Sequence, residues 1–369
     1  AAGLEVRQHH GLVGLAQHRP DPETLLTGRL RTALVETIAA GEQAILFLNR
    51  RGFATTLICD KCGALHQCPD CSAPAMTYHL GRNRLMCHWC GHIEAPPERC
   101  AACGEGELMH GSAGTERVEM ALAKDVPGAR VLRLDRDTSR GKGLLETLAQ
   151  FRDHEADVLV GTQMLSKGHD FPGVTLVGIL HGDHGLGLPD IRAAERTFQL
   201  LTQVAGRAGR GDRPGRVLIQ AYGVKHPAIT FAAHHDFPAF AAWELEKRKE
   251  IGNPPFGYLA LVRIGGPDAV AVERRAAELA AVARAGAEEI RRKHEADASA
   301  TGLPLQVLGP APSAIERVNR KVRWQILLRA ASRAPLRWML RQLRPRLGEA
   351  GSGEFKTMAI VDVDPQTLL

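Results

Sequence analysis

Two periodicities alternate through the first part of the chain. Between Thr24 and Ala40, Leu26, Leu30, Leu34 and Ile38 recur every four residues, the apolar stripe of an amphipathic helix. AILFL (Ala44–Leu48) follows, a short unbroken apolar run of the kind that forms a strand buried on both faces. The same patterns then return. VLRL (Val131–Leu134), DVLV (Asp157–Val160), VTLVGIL (Val174–Leu180) and RVLIQ (Arg216–Gln220) read as strands, and Gly143–Arg152 and Ile191–Ala205 as helices. Strands alternating with helices predict a parallel sheet covered on its faces, hence an α/β domain over 1–57 and 104–222.

Beyond it the pattern changes. The interval 223–255 is rich in aromatics and charge and reads as a linker, closed by the double proline of NPPFG (Asn253–Gly257). Then come a strand (Tyr258–Ile264), a helix (Asp268–Arg292), two strands (Leu305–Leu308, Arg323–Arg329), a helix (Arg333–Leu347) and a strand (Lys356–Val363). That βαββαβ order is the split βαβ plan, a small α+β domain over 256–369.

The interval 58–103 obeys neither period. It holds all eight cysteines, as Cys59/Cys62, Cys68/Cys71, Cys87/Cys90 and Cys100/Cys103. A Cys-x-x-Cys turn points two thiolates at one place, and two such turns complete a tetrahedral zinc shell. Fifteen residues separate Cys71 from Cys87, a zinc-ribbon spacing, whereas only five separate Cys62 from Cys68. The economical pairing is therefore nested. Cys68, Cys71, Cys87 and Cys90 hold an inner ion, and Cys59, Cys62, Cys100 and Cys103 an outer one.

Rival readings stay open. Disulfides need an oxidising compartment, and no secretory signal is present. Iron–sulfur ligation is disfavoured by regular pairs without a ferredoxin spacing. His66, His79, His88 and His92 could each replace a thiolate, but eight cysteines need no substitute. Two closed shells are structural rather than catalytic. Lys61, Arg82, Arg84 and Arg99 are balanced by Asp60, Asp70, Glu94 and Glu98, so the segment is expected to dock protein or act as a wedge, with Tyr78 and Trp89 as contacts, rather than grip phosphates.

Composition adds bounds. A chain of 369 residues has room for two or three domains, and a net charge of +6 leans modestly toward polyanions. No apolar run reaches the ~18 residues of a membrane span, so no membrane role is expected.

Two segments carry candidate chemistry. In QVAGRAGR (Gln203–Arg210), Arg207 and Arg210 stand three apart at a predicted helix end, on one face, with Gln203 a turn before. Paired guanidiniums suit a triphosphate. In GTQMLSKGHDF (Gly161–Phe171), the amides around Gly161–Gly168 and the Lys167 ammonium could hold a nucleic-acid phosphate, and Asp170 could accept from ribose hydroxyls. Either segment alone is common in α/β proteins, and the bland reading stays open for each.

Together they resemble motifs V and VI of superfamily 2 helicases, and ILFLNRRGF (Ile45–Phe53) resembles motif IV. The cysteine insertion, ERTFQLLTQVAGRAGR (Glu195–Arg210), NPPFGYLALVRI (Asn253–Ile264), RWQILLRA (Arg323–Ala330) and VDVDP (Val361–Pro365) narrow this further. Over essentially its whole length the chain resembles the C-terminal half of the primosomal protein N′ family of replication-restart helicases.

The resemblance implies a RecA-like second lobe of an ATP-dependent 3′-to-5′ DNA helicase, with ATP and Mg2+ held between two lobes. Arg207 and Arg210 match the arginines of motif VI, Gln203 its glutamine, and Asp170 the acid of motif V beside Gly168. Thr162 and Lys167 fall on the DNA side. The cysteines become a two-zinc element. Implied partners are forked DNA, single-strand-binding protein, primosome proteins and the replicative helicase loader, in the nucleoid of a bacterial cytoplasm.

The departures matter as much. There is no G-x-x-x-x-G-K-[ST] and no Asp-Glu-x-His; Gly141-Lys142-Gly143 comes nearest and lacks the hydroxyl that would hold magnesium. The chain is expected to be a fragment, inactive alone. The alternative is a non-enzymatic, zinc-stapled scaffold for DNA and protein. Finally, ten basic residues and no acid occupy Arg317–Arg346. On the last predicted helix Arg333, Arg337, Arg341 and Arg344 form a stripe opposite Leu336, Met339, Leu340 and Leu343. This stripe is either a solvated face or a site for a polyanion, fork DNA or an acidic peptide; the family's binding of an acidic single-strand-binding-protein tail suits the latter.

Overall fold

The structure is a computed structural model. It describes residues 8–14, 26–48, 57–59, 66, 69, 76–79, 83–87, 92–101, 103–105, 108–110, 115–134, 143–162, 165, 170–187, 190–221, 224–295 and 304–368. The chain opens with β1 (Gln8–Gly14), α1 (Gly28–Ala39) and β2 (Gln43–Leu48). Five short strands of the cysteine-rich segment follow: β3 (Leu57–Cys59), β4 (Met76–His79), β5 (Arg84–Cys87), β6 (Ile93–Glu94) and β7 (Leu108–His110). The α/β pattern then resumes with α2 (Thr115–Asp125), β8 (Val131–Leu134), α3 (Gly143–Arg152), β9 (Val158–Gly161), β10 (Val174–Leu180), α4 (Ala193–Ala205) and β11 (Gly215–Ala221).

β1, β2 and β8 to β11 form one six-stranded, wholly parallel sheet in the order β1-β11-β10-β2-β9-β8. Every residue of β2, β9 and β10 is buried, which is why these strands are apolar throughout instead of alternating. Along β10 the sides alternate: Leu176 and Leu180 meet Leu30 and Leu34 of α1, whereas Val177 and Ile179 share a core with Phe198 and Leu201 of α4. Thr27 caps α1, accepting from the Leu30 amide, while its hydroxyl donates at 2.8 Å to the Gln220 side chain in β11.

The interval 223–255 is not an extended linker. It folds as α5 (Pro227–Ala233) and α6 (Phe237–Ile251). Ala228, Ile229, Ala232, Ala233 and Phe240 are buried in the α4 core, and the Phe240 ring stacks on Phe198 at 4.2 Å. Of the aromatics that suggested a linker, Phe240 is a core residue and Phe231 and Trp243 pack against that core, while Phe237 is exposed. Gly252, at φ +66°, ends α6 just before the prolines. β1 also went unforeseen, since an edge strand so rich in histidine carries no apolar run.

The remainder is a second unit: β12 (Tyr258–Gly266), α7 (Ala269–Glu295), β13 (Leu305–Val318), β14 (Lys321–Ala330), α8 (Arg333–Leu343), β15 (Gly348–Ala350) and β16 (Thr357–Val363). Its sheet is antiparallel, in the order β13-β14-β12-β16-β15. The first four strands realise the expected split βαβ plan, and β15 adds a short edge. β13 runs ten residues past the predicted Leu308 end, into a hairpin turned by Asn319 and Arg320, both at positive φ. α8 stops at Leu343, and Arg344–Arg346 tighten into a 3-10 turn at Pro345. No helix among the described residues is long and apolar enough to cross a membrane.

Candidate functional site

α4 runs back along the parallel sheet, from the carboxyl ends of the strands to their amino ends. Its thirteen residues make it about 20 Å long. The helix closes at Gly206, whose amide bonds the Thr202 carbonyl at 3.0 Å. The chain then turns at Gly209 (φ +69°), and that amide donates to the Val174 carbonyl of β10. Arg207 and Arg210 therefore sit in a turn beyond the helix, not on a helical face as the spacing suggested. The glycines are the cause.

The turn brings distant residues together. Arg210 donates at 3.1 Å to the Asp170 carboxylate, forty positions away, and through Nε to the Gly206 carbonyl at 2.9 Å. Arg207 is only 7% exposed. Burial lowers its affinity for a proton, the Arg210 charge adds to this, and Asp170 opposes it. A guanidinium stays charged in such a place. Gln203, Arg210 and Asp170 are exposed. The outward pair of arginines read from the sequence is thus one exposed guanidinium above one buried one. The exposed Arg210–Asp170 pair is worth at most about 1 kcal/mol, so a phosphate could displace the carboxylate at little cost.

Thr162 is half-buried at the opposite end of the sheet, just past β9. Lys167 and Gly168 lie outside the described residues. The residues expected to meet nucleotide (Gln203, Arg207, Arg210, Asp170) and the described residue expected to meet DNA are therefore a helix length apart.

The start of α4 carries a polar cluster that the sequence reading missed. Arg192 binds Glu195 bidentately at 2.6 and 3.0 Å, and Arg248 of α6 reaches the same carboxylate at 2.7 Å while also holding Glu244. Arg192, first, and Arg248 hold the Glu195 carboxyl down from 4.5 to about 2, against the opposing effect of burial. Asp190, its side chain 1% exposed, accepts from Arg196 at 2.9 Å and from the Thr367 hydroxyl at 2.6 Å. Arg192 also donates to the Gln366 side chain at 2.7 Å, and Arg196 to the Gln366 carbonyl. The Arg192–Glu195 and Glu244–Arg248 pairs are close in the sequence, but the links from Glu195 to Arg248 and from Asp190, Arg192 and Arg196 to Gln366 and Thr367 join positions far apart along the chain.

In the cysteine-rich segment β3 pairs with β7, placing Cys59 opposite Leu108. The two arms of the outer quartet thus leave one ladder, and that ladder extends past residue 103 to His110. β4 and β5 form a hairpin with Met76 opposite Cys87, which draws the arms of the inner quartet together. Gly104, at φ +73°, donates its amide to the Cys100 carbonyl at 2.8 Å, folding Cys100-x-x-Cys103 into a tight turn. Cys100 is buried and Cys103 exposed. In both ladders the described backbone brings distant parts of the cysteine-rich segment together. Cys59 and Cys87 are described in their backbones only, and Cys62, Cys68, Cys71 and Cys90 lie outside the described residues. His66 and His92 both turn Nε2 to Glu94, at 2.7 and 3.3 Å. A carboxylate faces those atoms.

On α8, Leu336, Met339 and Leu343 are buried, and Arg333, Arg337 and Arg341 are exposed, as the stripe predicted. The Arg333 guanidinium lies 5.2 Å from the centre of the Tyr258 ring.

Comparison with known proteins agrees part by part. Residues 109–212 match the helicase conserved C-terminal domain, 68–94 the PriA DNA helicase Cys-rich region, and 249–366 the primosomal protein N C-terminal domain. Fold and site thus define the class: a helicase second lobe with a zinc-ribbon insertion and an appended α+β domain. The chain is 42% identical to the replication restart protein PriA of Bacillus subtilis over 321 residues, 87% of this chain and 38% of that protein. Against PriA of Treponema pallidum it is 40% identical over 349 residues, 94% of this chain and 50% of that protein. It belongs to the PriA family of replication restart proteins and corresponds to their C-terminal part, spanning half or less of the length of these relatives. Among solved structures, RecG bound to a three-way DNA junction aligns with a TM-score of 0.36 and 13% identity, over 67% of this chain and 23% of that one. That likeness is distant.

Proposed function

We propose that the chain supplies the second motor lobe of an ATP-dependent 3′-to-5′ DNA helicase. In this reading the helicase binds stalled or branched forks and starts primosome assembly to reload the replicative helicase. The observation that carries the reading is the meeting of Asp170, Gln203, Arg207 and Arg210 at one end of the sheet, in a chain of this family. Arg210 exchanges Asp170 for the nucleotide's phosphates as a first lobe closes, and buried Arg207 holds the positive field beneath it. The phosphate loop and the carboxylates for Mg2+ come from that first lobe, because 1–369 contains neither motif. Thr162, at the far end of the sheet, and Lys167 of the same motif contact the DNA.

Two Zn2+ brace the cysteine-rich segment, one in Cys68, Cys71, Cys87 and Cys90 and one in Cys59, Cys62, Cys100 and Cys103. The match over 68–94 supports the inner set, since it contains those four cysteines. Arg333, Arg337 and Arg341 bind a polyanion, either fork DNA or the acidic tail of single-strand-binding protein. Contacts with primosome proteins and a helicase loader belong to the same reading.

Its test is kinetic. Alone, the chain is expected to hydrolyse no ATP with or without forked DNA; turnover in the ordinary enzyme range of ~1–10³ s⁻¹ overturns the placement. Joined to a lobe bearing a phosphate loop, Arg210→Ala is expected to lower kcat on the order of 10³-fold. An unchanged kcat there, with forked DNA still bound, favours the zinc-stapled scaffold instead.

A further inference from the structure

α4 has its two ends in different places. Its last turn leads directly into Arg207 and Arg210 at one end of the sheet. Its first residues grip the tail that follows β16 at the other: Asp190 holds the Thr367 hydroxyl, Arg192 the Gln366 side chain, and Arg196 the Gln366 carbonyl. That tail is not loose. The Asp364 amide donates to the Leu259 carbonyl at 3.0 Å, and Arg263 donates to the Thr367 carbonyl at 3.1 Å, so both are anchored in β12 of the α+β domain. From below, Arg248 ties Glu195 to α6. Between the ends, Thr197, Phe198, Leu201, Val204 and Ala205 are buried along one face. A hydrogen-bonded helix packed this way shifts as a unit, and movements of 1–2 Å are about what packed helices make in known transitions.

We infer that α4 is a lever: Asp190, Arg192, Glu195 and Arg196 are positioning residues that take up the C-terminal tail at Gln366 and Thr367, and the position so set fixes where Arg207 and Arg210 stand. DNA or a partner held by the α+β domain would thereby be felt at the nucleotide-facing turn. The converse also holds, because such coupling is reciprocal. A continuous helix carries specific contacts at each end; the physical warrant is a shift of that helix that both ends bias, which the exchange experiment measures. The inference rests on the proposed nucleotide role only for its meaning; the mechanical link stands or falls by itself.

Hydrogen exchange on the whole 369-residue chain tests it. Gln366→Ala with Thr367→Ala removes the tail's side-chain contacts without touching the core. Exchange in the turn 203–210 is expected to rise tenfold or more, while β2 and β10 stay protected. Thr367→Ser, which keeps the hydroxyl, should restore part of the protection. Loosening confined to 190–196 and 364–368, with the turn 203–210 unchanged, overturns the lever. If the turn loosens as expected yet Arg210→Ala leaves ATP hydrolysis by the joined two-lobe protein unchanged, the lever survives and the nucleotide reading falls.

Discussion

Glu195 accepts from two arginines, and its carboxyl titrates near 2 instead of 4.5. A carboxylate held down in the folded state contributes stability that is complete above its unfolded value and is lost as pH falls through the folded one. The window is therefore about 4.5 down to about 2. After discounting for solvent screening, about 1–2 kcal/mol is at stake. Urea midpoints measured across that window should fall more steeply for the native protein than for Glu195→Gln; equal slopes would remove Glu195 from the account. Gly209 offers a second test at this scale. It combines φ +69° with a Cβ position only 2.5 Å from the Gly215 amide nitrogen, whereas Gly128, at φ +88°, has open space around it. Either change to Ala should cost about 1 kcal/mol of backbone strain, and Gly209→Ala clearly more in total because the backbone clash adds to it. Matching losses in chemical denaturation would mean the turn at Arg207 is less tightly packed than it stands here.

Among the elements, α8 divides most sharply into two faces. Leu336, Met339 and Leu343 fill the α+β core, which leaves Arg333, Arg337 and Arg341 exposed on the other face, Arg333 against the Tyr258 ring. Arg333→Glu with Arg337→Glu should weaken binding of forked DNA or of an acidic peptide at least tenfold. If DNA is the ligand, the dependence of affinity on salt should fall by about two phosphate contacts. Unchanged affinity for both would leave the stripe merely solvated. α4 is the opposite case. Its apolar positions and its end at Ala205 were legible; what was not legible is that Gly206 and Gly209 turn Arg207 and Arg210 off the helical face they were expected to share. α5 and α6 were hidden for a related reason. Phe240 and Trp243 sit among charged residues in the sequence, and only their packing against α4 shows that they belong to a core.

At the scale of the whole molecule, the cysteine-rich segment lies between β2 and α2, and among the described residues its strands are only two to four residues long, a small basis for a core. Zinc must supply what packing cannot, roughly 10–16 kcal/mol per ion in small zinc-folded peptides. The protein as isolated should contain two zinc ions by elemental analysis. Chelation should unfold 57–110 while the six-stranded sheet keeps its slow exchange. Loss of the sheet together with the metal would mean that the two units are not independent.

The parallel α/β lobe, the split βαβ domain and the cysteine pairs are legible along the chain, because each is written in local periodicity or short spacing. The sequence also brought out Asp170, Gln203, Arg207 and Arg210 as residues of one kind of chemistry, through their motifs. Three-dimensional packing alone reveals that Arg207 is buried, that Arg210 lies on Asp170, and that Asp190 and Arg192 meet Thr367 and Gln366 across separations of 177 and 174 residues. Contacts between polar groups so far apart leave no period in the chain. They exist because the sheet and the helices on it bring those positions together, and a buried carboxylate such as Asp190 then needs whatever donors the fold delivers.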